Sequence, residues 1–355
     1  MKKKILSILL ATRNQKEYLN QCISAIRSQT FVHWELLVYD DASRDGTANY
    51  LKVLRLKEPR LRFFRALQHR GPVHGYNFLL RQAIGKFVWS VASDDFCVRK
   101  DFLAEGFSKL VKFPSSAGFC SSCLTLYEPS GTMGPRMTMP KNAEYLSPHD
   151  IMRGFFSHHG NIPGSSMVIR KKEILRFGGF RPELGPMCDL FVNHAAGTKR
   201  GVVYLSNPGV CVRIFESHAK SFGQRSTIHQ WTTWIARLEI LLRKEFPENS
   251  FSIFDWMNWR MQRINDYLQT DHRFRIASRS PVETRGKILT NLKRELKYVI
   301  CILNRKLSDQ DRSDLVIPIS PQACIKFTRK NALRRIYTRI LNSLRKRILG
   351  YSLPH

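Results

Sequence analysis

The stretch Trp34-Glu-Leu-Leu-Val-Tyr-Asp40-Asp41-Ala-Ser-Arg-Asp-Gly-Thr47 decides the fold. Its first six residues are a short, nearly continuous apolar run, the pattern of a strand covered on both faces. The run breaks into a dense turn and capping cluster, after which a helix is expected from about residue 47. The same grammar repeats on either side. ILSILLA at 5–11 predicts a first buried strand, and Leu19, Cys22, Ile23 and Ile26 fall at helical spacing within 17–28. LRFFR at 61–65 predicts a third strand, 73–84 a helix, and FVWSV at 87–91 a fourth strand. Strands alternating with helices over short connections imply a mostly parallel sheet flanked by helices, an α/β, Rossmann-like class. Ligands of such sheets sit at the carboxyl ends of the strands. Asp40-Asp41 and Asp94-Asp95 each follow a predicted strand directly, so two carboxylate pairs converge on one edge.

Beyond about residue 115 the texture changes to shorter strands and loops richer in Gly and Pro. Strands are expected at 117–128, 165–171 and 201–205. From about 226 helices take over, which sets the expected domains at 1–225 and 226–355. The second is a helical, basic extension carrying 25 Lys and Arg against 11 Asp and Glu, a net +14. The whole 355-residue chain has a formal charge of +30, yet 43% of its residues are hydrophobic, which excludes wholesale disorder. The charge points to an acidic partner, whether nucleic acid, anionic membrane or phosphorylated substrate, without choosing among them. No apolar run reaches the roughly 18–20 residues that span a bilayer. Met1-Lys-Lys-Lys followed by ILSILLA resembles a signal peptide only superficially, because polar sequence follows without a small-residue cleavage site. A cytoplasmic chain that keeps its start is expected. The eight cysteines are scattered, and Cys120-Ser-Ser-Cys123 lacks the second pair a zinc site would want, so reduced, mostly buried thiols are expected.

Several spaced features carry a resemblance. Ser7-Ile-Leu-Leu-Ala-Thr12-Arg13-Asn14 opens the chain, followed by Ser28-Gln29-Thr30 and the strand with its DDASRDGT turn. Then come His74-Gly-Tyr-Asn77, Ala83-Ile-Gly85-Lys86 and Ser93-Asp94-Asp95. Gly178-Gly179-Phe180, an isolated Asp189, and Arg213 before His218 and Ser221 complete the series. In this order and spacing, residues 5–222 resemble glycosyltransferase family 2, inverting sugar transferases of the GT-A fold that use nucleotide-sugar donors.

The resemblance implies a role for each match. Thr12 and Asp41 would contact the nucleotide, with Arg13, Asn14, Asp40, Asn77, Ser93 and Asp94 around the donor. A carboxylate at Asp41 could accept the ring N–H of a pyrimidine, whereas in the alternative reading Asp40, Asp41 and Ser43 cap the next helix. The family's acidic motif is usually Asp-x-Asp followed by a further Asp. Here Ala92 takes the first place, Asp94 the second, and Asp95 follows. Asp94 and Asp95, completed by His218, would hold Mg²⁺ or Mn²⁺ against the departing diphosphate, and Arg213 would counter phosphate charge. Asp189 matches the catalytic base, although Cys188 replaces the usual preceding Glu; Glu183 is the nearest substitute, and a helix cap is the alternative for Asp189. His158-His159 and the loop to Ser166 lie where the family assembles its acceptor pocket.

These matches predict a metal-dependent, inverting hexosyltransferase. It would move a sugar, from a UDP-sugar foremost, to a glycan or lipid-linked hydroxyl in bacterial surface polysaccharide or glycolipid assembly. Within 325–349, Leu333, Ile336, Ile340, Leu344 and Ile348 form one stripe among arginines and lysines. That stripe suits the inner face of an anionic cell membrane, where the protein would sit peripherally, or a helix packed on the catalytic domain. Trp231, Trp234, Trp256 and Trp259 could belong to a core or to an interfacial anchor. Two rival readings remain: a nucleic-acid-binding basic protein, which would need a binding module that the sequence lacks, and a catalytically silent member of the same fold.

Overall fold

The computed structural model describes residues 4–128, 130–137, 143–156, 162, 164–215, 228–246 and 259. His158, His159, His218, Ser221, Trp256 and the 325–349 stripe lie outside the described residues. Met1–Ser226 and Thr233–Ser250 form one compact unit, and every site residue discussed below belongs to it.

The strands are β1 (Leu6–Thr12), β2 (Trp34–Asp40), β3 (Leu61–Arg65), β4 (Phe87–Ala92), β5 (Phe96–Cys97), β6 (Gly118–Glu128), β7 (Thr132–Met137), β8 (Tyr145–Leu146), β9 (Val168–Arg170) and β10 (Val202–Phe215). The helices are α1 (Lys16–Arg27), α2 (Thr47–Lys57), α3 (Pro72–Gln82), α4 (Phe102–Lys112), α5 (Pro148–Phe156), α6 (Lys171–Arg176), α7 (Cys188–Arg200) and α8 (Ile228–Glu245). One mixed sheet runs β3-β2-β1-β4-β9-β6-β10-β5, with β7 added on β6 and β8 on β10. β3, β2, β1 and β4 are mutually parallel, as are β6 and β10, while β9 runs antiparallel between the two sets. This is the mostly parallel, helix-flanked sheet expected from the sequence.

The parallel half explains its own sequence. Every residue of β2, and all but one of β1, is buried, so both faces must be apolar. Helix α1 buries Leu19, Cys22, Ile23 and Ile26 against the sheet, the stripe read from spacing. Gly85 allows the turn before β4 to press on β1: a Cβ there would lie 2.6 Å from the Ser7 backbone nitrogen. The Ser7 hydroxyl accepts the Gly85 N–H at 2.9 Å and donates to buried Glu35 at 2.6 Å. Glu35 also accepts the Ile84 N–H at 2.8 Å, so β1, β2 and the α3–β4 turn are locked through one carboxylate. The described cysteines are all buried.

Two sequence expectations are revised. The strand expected at 165–171 is shorter, because Gly164–Ser166 forms a 3₁₀ turn before β9. The strand expected to end at 205 continues to Phe215, passing Asn207-Pro208-Gly209 by a register shift on β6. The Ser121 hydroxyl accepts the Gly209 N–H there at 3.0 Å and satisfies the irregular backbone.

Candidate functional site

A cleft of about 420 Å³ opens where β1 and β4 end, beside the turn that follows β2. Thr12, Arg13, Gln15, Asp41, His69, Tyr76, Ala92, Ser93, Asp94, Ser165, Phe180, Pro186 and Asp189 line it, among others. This is the carboxyl edge on which ligands of parallel sheets sit. The Thr12 hydroxyl is 3% exposed as a residue and has no hydrogen-bond partner, and neither has the Arg13 Nε. Buried polar atoms left unsatisfied are rare and costly, so their presence at the cleft wall points to a ligand that completes them.

The turn after β2 is shaped by strain and capping. Ala42 adopts φ +58°, a conformation L side chains avoid, and strain of that kind tends to collect at functional sites. Asp40 is fully buried, accepts the Ser43 N–H at 2.9 Å, and faces Arg65 at 3.5 Å. Asn14 donates its N–H to Ser43 Oγ at 3.0 Å and accepts the Arg44 N–H at 2.8 Å. Asp40 and Asn14 therefore hold the turn and do not line the cleft. Asp41 does line it, yet its carboxylate is occupied from behind. Arg70 N–H donates to Oδ1 at 2.8 Å, Gly71 N–H to Oδ2 at 2.9 Å, and His69 Nδ1 approaches Oδ2 at 2.6 Å.

The acidic turn after β4 separates its two carboxylates. Asp94 lines the cleft, and burial pushes its carboxyl above the usual carboxylate range; hydrogen bonds from its own backbone and from Gln15, then the Arg213 charge, act in the opposite direction. Gln15 also accepts the Ser93 hydroxyl. Asp95 turns away: Ser165 Oγ donates to its Oδ2 at 2.6 Å and Arg213 N–H to its Oδ1 at 3.2 Å. Arg213 does not line the cleft. Its guanidinium pairs with Glu128, bonds Gln21 and the Asp94 carbonyl, and lies over Tyr18 and Phe96.

The opposite contribution comes from the chain leading into α7. Asp189 stands in the first turn of that helix and lines the cleft; its Oδ1 accepts the Leu190 N–H at 2.7 Å. Gly164 packs so close to its Oδ2 that no Cβ would fit. Tyr76 donates to the Val91 carbonyl at 3.0 Å. Burial foremost, then the Asp189 and Asp94 charges, keep that phenol protonated. Asn77 clasps Phe180 in both directions, accepting its N–H at 3.0 Å and donating to its carbonyl at 2.6 Å. This clasp fixes the Gly178-Gly179-Phe180 turn, whose glycines have φ of +82° and +83°. Glu183 pairs with Arg181 at 3.2 Å and does not line the cleft.

The cleft thus gathers Thr12, Arg13, Asp41, Ser93, Asp94 and Asp189 from the expected set. Asn14, Asp40, Asn77, Asp95 and Arg213 stand behind it as supports. The sequence reading had not singled out Gln15, His69, Tyr76 or Ser165. Among the described residues no cluster of three His, Cys, Asp or Glu side chains is placed to hold a metal.

Residues 7–175 match the glycosyl transferase family 2 model. Over that stretch, a little under half of its length, the chain is similar to glycosyl transferase family 2. It is 33% identical over 91 residues to the UDP-Glc:alpha-D-GlcNAc-diphosphoundecaprenol beta-1,3-glucosyltransferase WfgD of Escherichia coli, covering 26% of its own length and 35% of the relative's. The chain therefore spans about a third of that relative. A longer match, 25% identical over 273 residues, is to the GalNAc(5)-diNAcBac-PP-undecaprenol beta-1,3-glucosyltransferase of Campylobacter jejuni, covering 75% of this chain and 78% of the relative. The chain also superposes on S. aureus TarS 1-349 in complex with UDP with a TM-score of 0.58 at 16% identity, covering 80% of this chain and 77% of that one. At that identity the likeness shows the GT-A fold alone.

Proposed function

We propose that this chain is an inverting glycosyltransferase that moves a sugar from a UDP-sugar to a hydroxyl of a lipid-linked glycan. The observation that carries the reading is one cleft at the carboxyl edge of the sheet, lined by Asp94 from the turn after β4 and by Asp189 from α7. The names of the E. coli and C. jejuni relatives, both glucosyltransferases named for undecaprenol-linked substrates, support the acceptor class, and the E. coli name supports the donor.

The chemistry follows from the side chains. A nucleotide would complete the unpartnered Thr12 hydroxyl and Arg13 Nε at the end of β1. The acceptor hydroxyl is deprotonated by the Asp189 carboxylate as its oxygen attacks the anomeric carbon from the face opposite the diphosphate. The anomeric C–O bond breaks as the new one forms, and the diphosphate departs with the electron pair. Proton removal by a positioned base contributes on the order of 10²–10⁴ in rate. The Leu190 N–H holds the base by its Oδ1, and Gly164 backs its Oδ2 without a side chain.

One carboxylate plus phosphate oxygens and water is a donor set that suits Mg²⁺ or Mn²⁺. Asp94, desolvated and at the cleft wall, would hold such an ion, and Asp95, committed to Ser165 and Arg213, would not. A bound cation supplies charge neutralisation of the leaving diphosphate. Because Ala92 replaces one carboxylate, the catalytically silent reading keeps one specific observation in its favour.

The test is a thermal-shift panel of nucleotide sugars with and without Mn²⁺, followed by transfer assays on undecaprenol-linked acceptors. Stabilisation by UDP-sugars is expected, with turnover that Asp189→Asn lowers on the order of 10²–10⁴. Donor binding with no turnover on any acceptor would favour the silent reading, and no nucleotide binding would refute both.

A further inference from the structure

Resting on the proposed role of Asp189 as the base, we propose that His194 is the positioning residue that holds the 162–166 segment against it. His194 stands on α7, the helix that carries Asp189 in its first turn, and is fully buried. Its ring lies edge-on to Phe155 of α5, with centroids 4.8 Å apart. A polar ring in such a place costs free energy unless its nitrogens are satisfied. Both are: Nδ1 lies 2.9 Å from the Leu190 carbonyl, and the Ile162 N–H donates to Nε2 at 3.3 Å. A carbonyl only accepts and a backbone N–H only donates, so the two partners together fix a neutral ring with its proton on Nδ1. A protonated ring would set two N–H groups against each other at Nε2. The Leu190 contact stays within α7, one turn back. The Ile162 contact leaves the helix, and Ile162 belongs to no helix or strand that could supply its N–H with a partner.

The segment held in this way forms the wall of the cleft behind the base. Ile162 is buried, with its side chain against Gly197 one turn further along α7. Gly164 opens the 3₁₀ turn and packs on Asp189 Oδ2 with no room for a Cβ. The far end of the turn is fixed to β4 and to the acidic turn after it. There the Ser165 carbonyl accepts the Trp89 indole N–H at 2.8 Å, and the Ser165 hydroxyl donates to Asp95 at 2.6 Å. The segment is thus tied to the sheet at one end and to α7 at the other, where His194 supplies the hydrogen bond. Asp189 sits between the two ties, with Oδ1 on the Leu190 N–H and Oδ2 against Gly164. Without the His194 bond the Ile162 N–H is buried and unpaired, which is costly enough to shift the segment on α7. Oδ2 of the base then loses its backing. His194 touches no substrate in this scheme and acts through Gly164.

The experiment compares the full chain with its His194→Gln, His194→Asn and His194→Leu variants, all below the lowest of their melting temperatures. Gln brings an amide oxygen to the place of Nε2, where it accepts the Ile162 N–H. Asn reaches only the place of Nδ1, and Leu packs without either bond. Residue-resolved hydrogen exchange of the Ile162 and Leu190 amides reads the link without any substrate. Both amides should exchange about tenfold or more faster in the Asn and Leu variants, and Gln should restore both. Turnover should fall about tenfold to a hundredfold in the same two variants and recover with Gln, while UDP affinity stays within about threefold of wild type. Should Leu fail to fold, the contrast between Gln and Asn carries the test. Fast exchange at Ile162 with Leu190 unchanged would show that the ring holds the segment and not the base, and would overturn the inference. So would Gln losing as much turnover as Asn, or UDP affinity falling in step with turnover, which would assign His194 to general stability. A wild-type protein that transfers to no acceptor would refute the proposed transferase reading, and the two amides would still decide whether His194 holds Asp189 in place.

Discussion

Ser165 donates its hydroxyl to Asp95 Oδ2 at 2.6 Å, and this one bond ties the turn before β9 to the acidic turn after β4. It also divides two adjacent aspartates into different jobs. Asp95 is 3% exposed, holds the Arg213 backbone N–H as well, and keeps the two halves of the sheet in register at the cleft. Asp94 is left to face the cavity.

The division has a measurable consequence. Asp95→Asn should lower the melting temperature, because an amide cannot accept from both Ser165 and Arg213 without presenting a donor to one; a loss of about 1–3 kcal/mol is expected. Asp94→Asn should do the reverse in metal-free buffer. The folded protein holds the Asp94 proton above the ordinary carboxylate range, so the ionised group opposes folding once pH exceeds that range. Stability is lost progressively from the unfolded carboxylate range upward to the raised folded value. The Asn variant should therefore melt higher than wild type at neutral pH and no higher below about pH 4. Transfer activity should be lost in Asp94→Asn. Calorimetric scans across pH check the first claim and a transfer assay the second.

Asp189→Asn separates chemistry from binding. The side chain keeps its shape and its contact with the Leu190 N–H, but it no longer takes a proton. The turnover number should fall on the order of 10²–10⁴, while donor affinity stays within about threefold of wild type. A variant that keeps full turnover would remove Asp189 from the catalytic role. Glu183, bonded to Arg181 and outside the cleft, gives the control: Glu183→Gln should leave turnover unchanged.

How far the sequence could be read depended on whether a signal was local. The buried runs of β1, β2 and β4 and the α1 stripe obey simple periodicities, and their expected ends fall within two residues of those observed. The carboxylates after β2 and β4 were legible because acids are sparse in so basic a chain. What could not be read was which acid of a pair faces the cavity. Asp40 and Asp41, or Asp94 and Asp95, differ only in the partners that distant segments bring: Arg65, the 69–71 loop, Ser165 and Arg213. His69 was missed because a lone loop histidine carries no spacing signal. The course of β10 past Pro208-Gly209 was missed for a similar reason, since the Ser121 hydroxyl that supports it lies 88 residues away.

Gly85 tests the contact between the α3–β4 turn and β1. An added Cβ would lie 2.6 Å from the Ser7 nitrogen and 2.8 Å from the Leu6 carbonyl carbon, both backbone atoms of a central strand that cannot yield. Gly85→Ala should cost about 1–3 kcal/mol, the range of overpacked sites, and lower the melting temperature by several degrees. Ser7→Ala should cost a comparable amount through a different route, leaving the Gly85 N–H unpaired and Glu35 one donor short. Because the two residues touch, the double variant should lose less than the sum, and denaturant titration of the four proteins would show it.

Gly185 and Trp234 test whether α8 supports the catalytic base. Gly185 adopts φ +54° and ψ −128° in the turn that leads into α7, lines the cleft, and has the Trp234 ring where its Cβ would be. Arg237, one turn further along α8, donates to the Glu183 carbonyl at 3.3 Å in the same turn. The helix therefore braces the turn at Glu183 and Gly185, six and four residues before Asp189. Trp234→Ala would open space beneath that turn and let the base wander, so the turnover number should fall about tenfold or more with donor affinity held near wild type. Trp234→Phe, which keeps an aromatic ring against Gly185, should recover most of the loss. Equal losses in donor affinity and turnover, or no recovery with Phe, would assign Trp234 to general stability and separate α8 from the placement of Asp189.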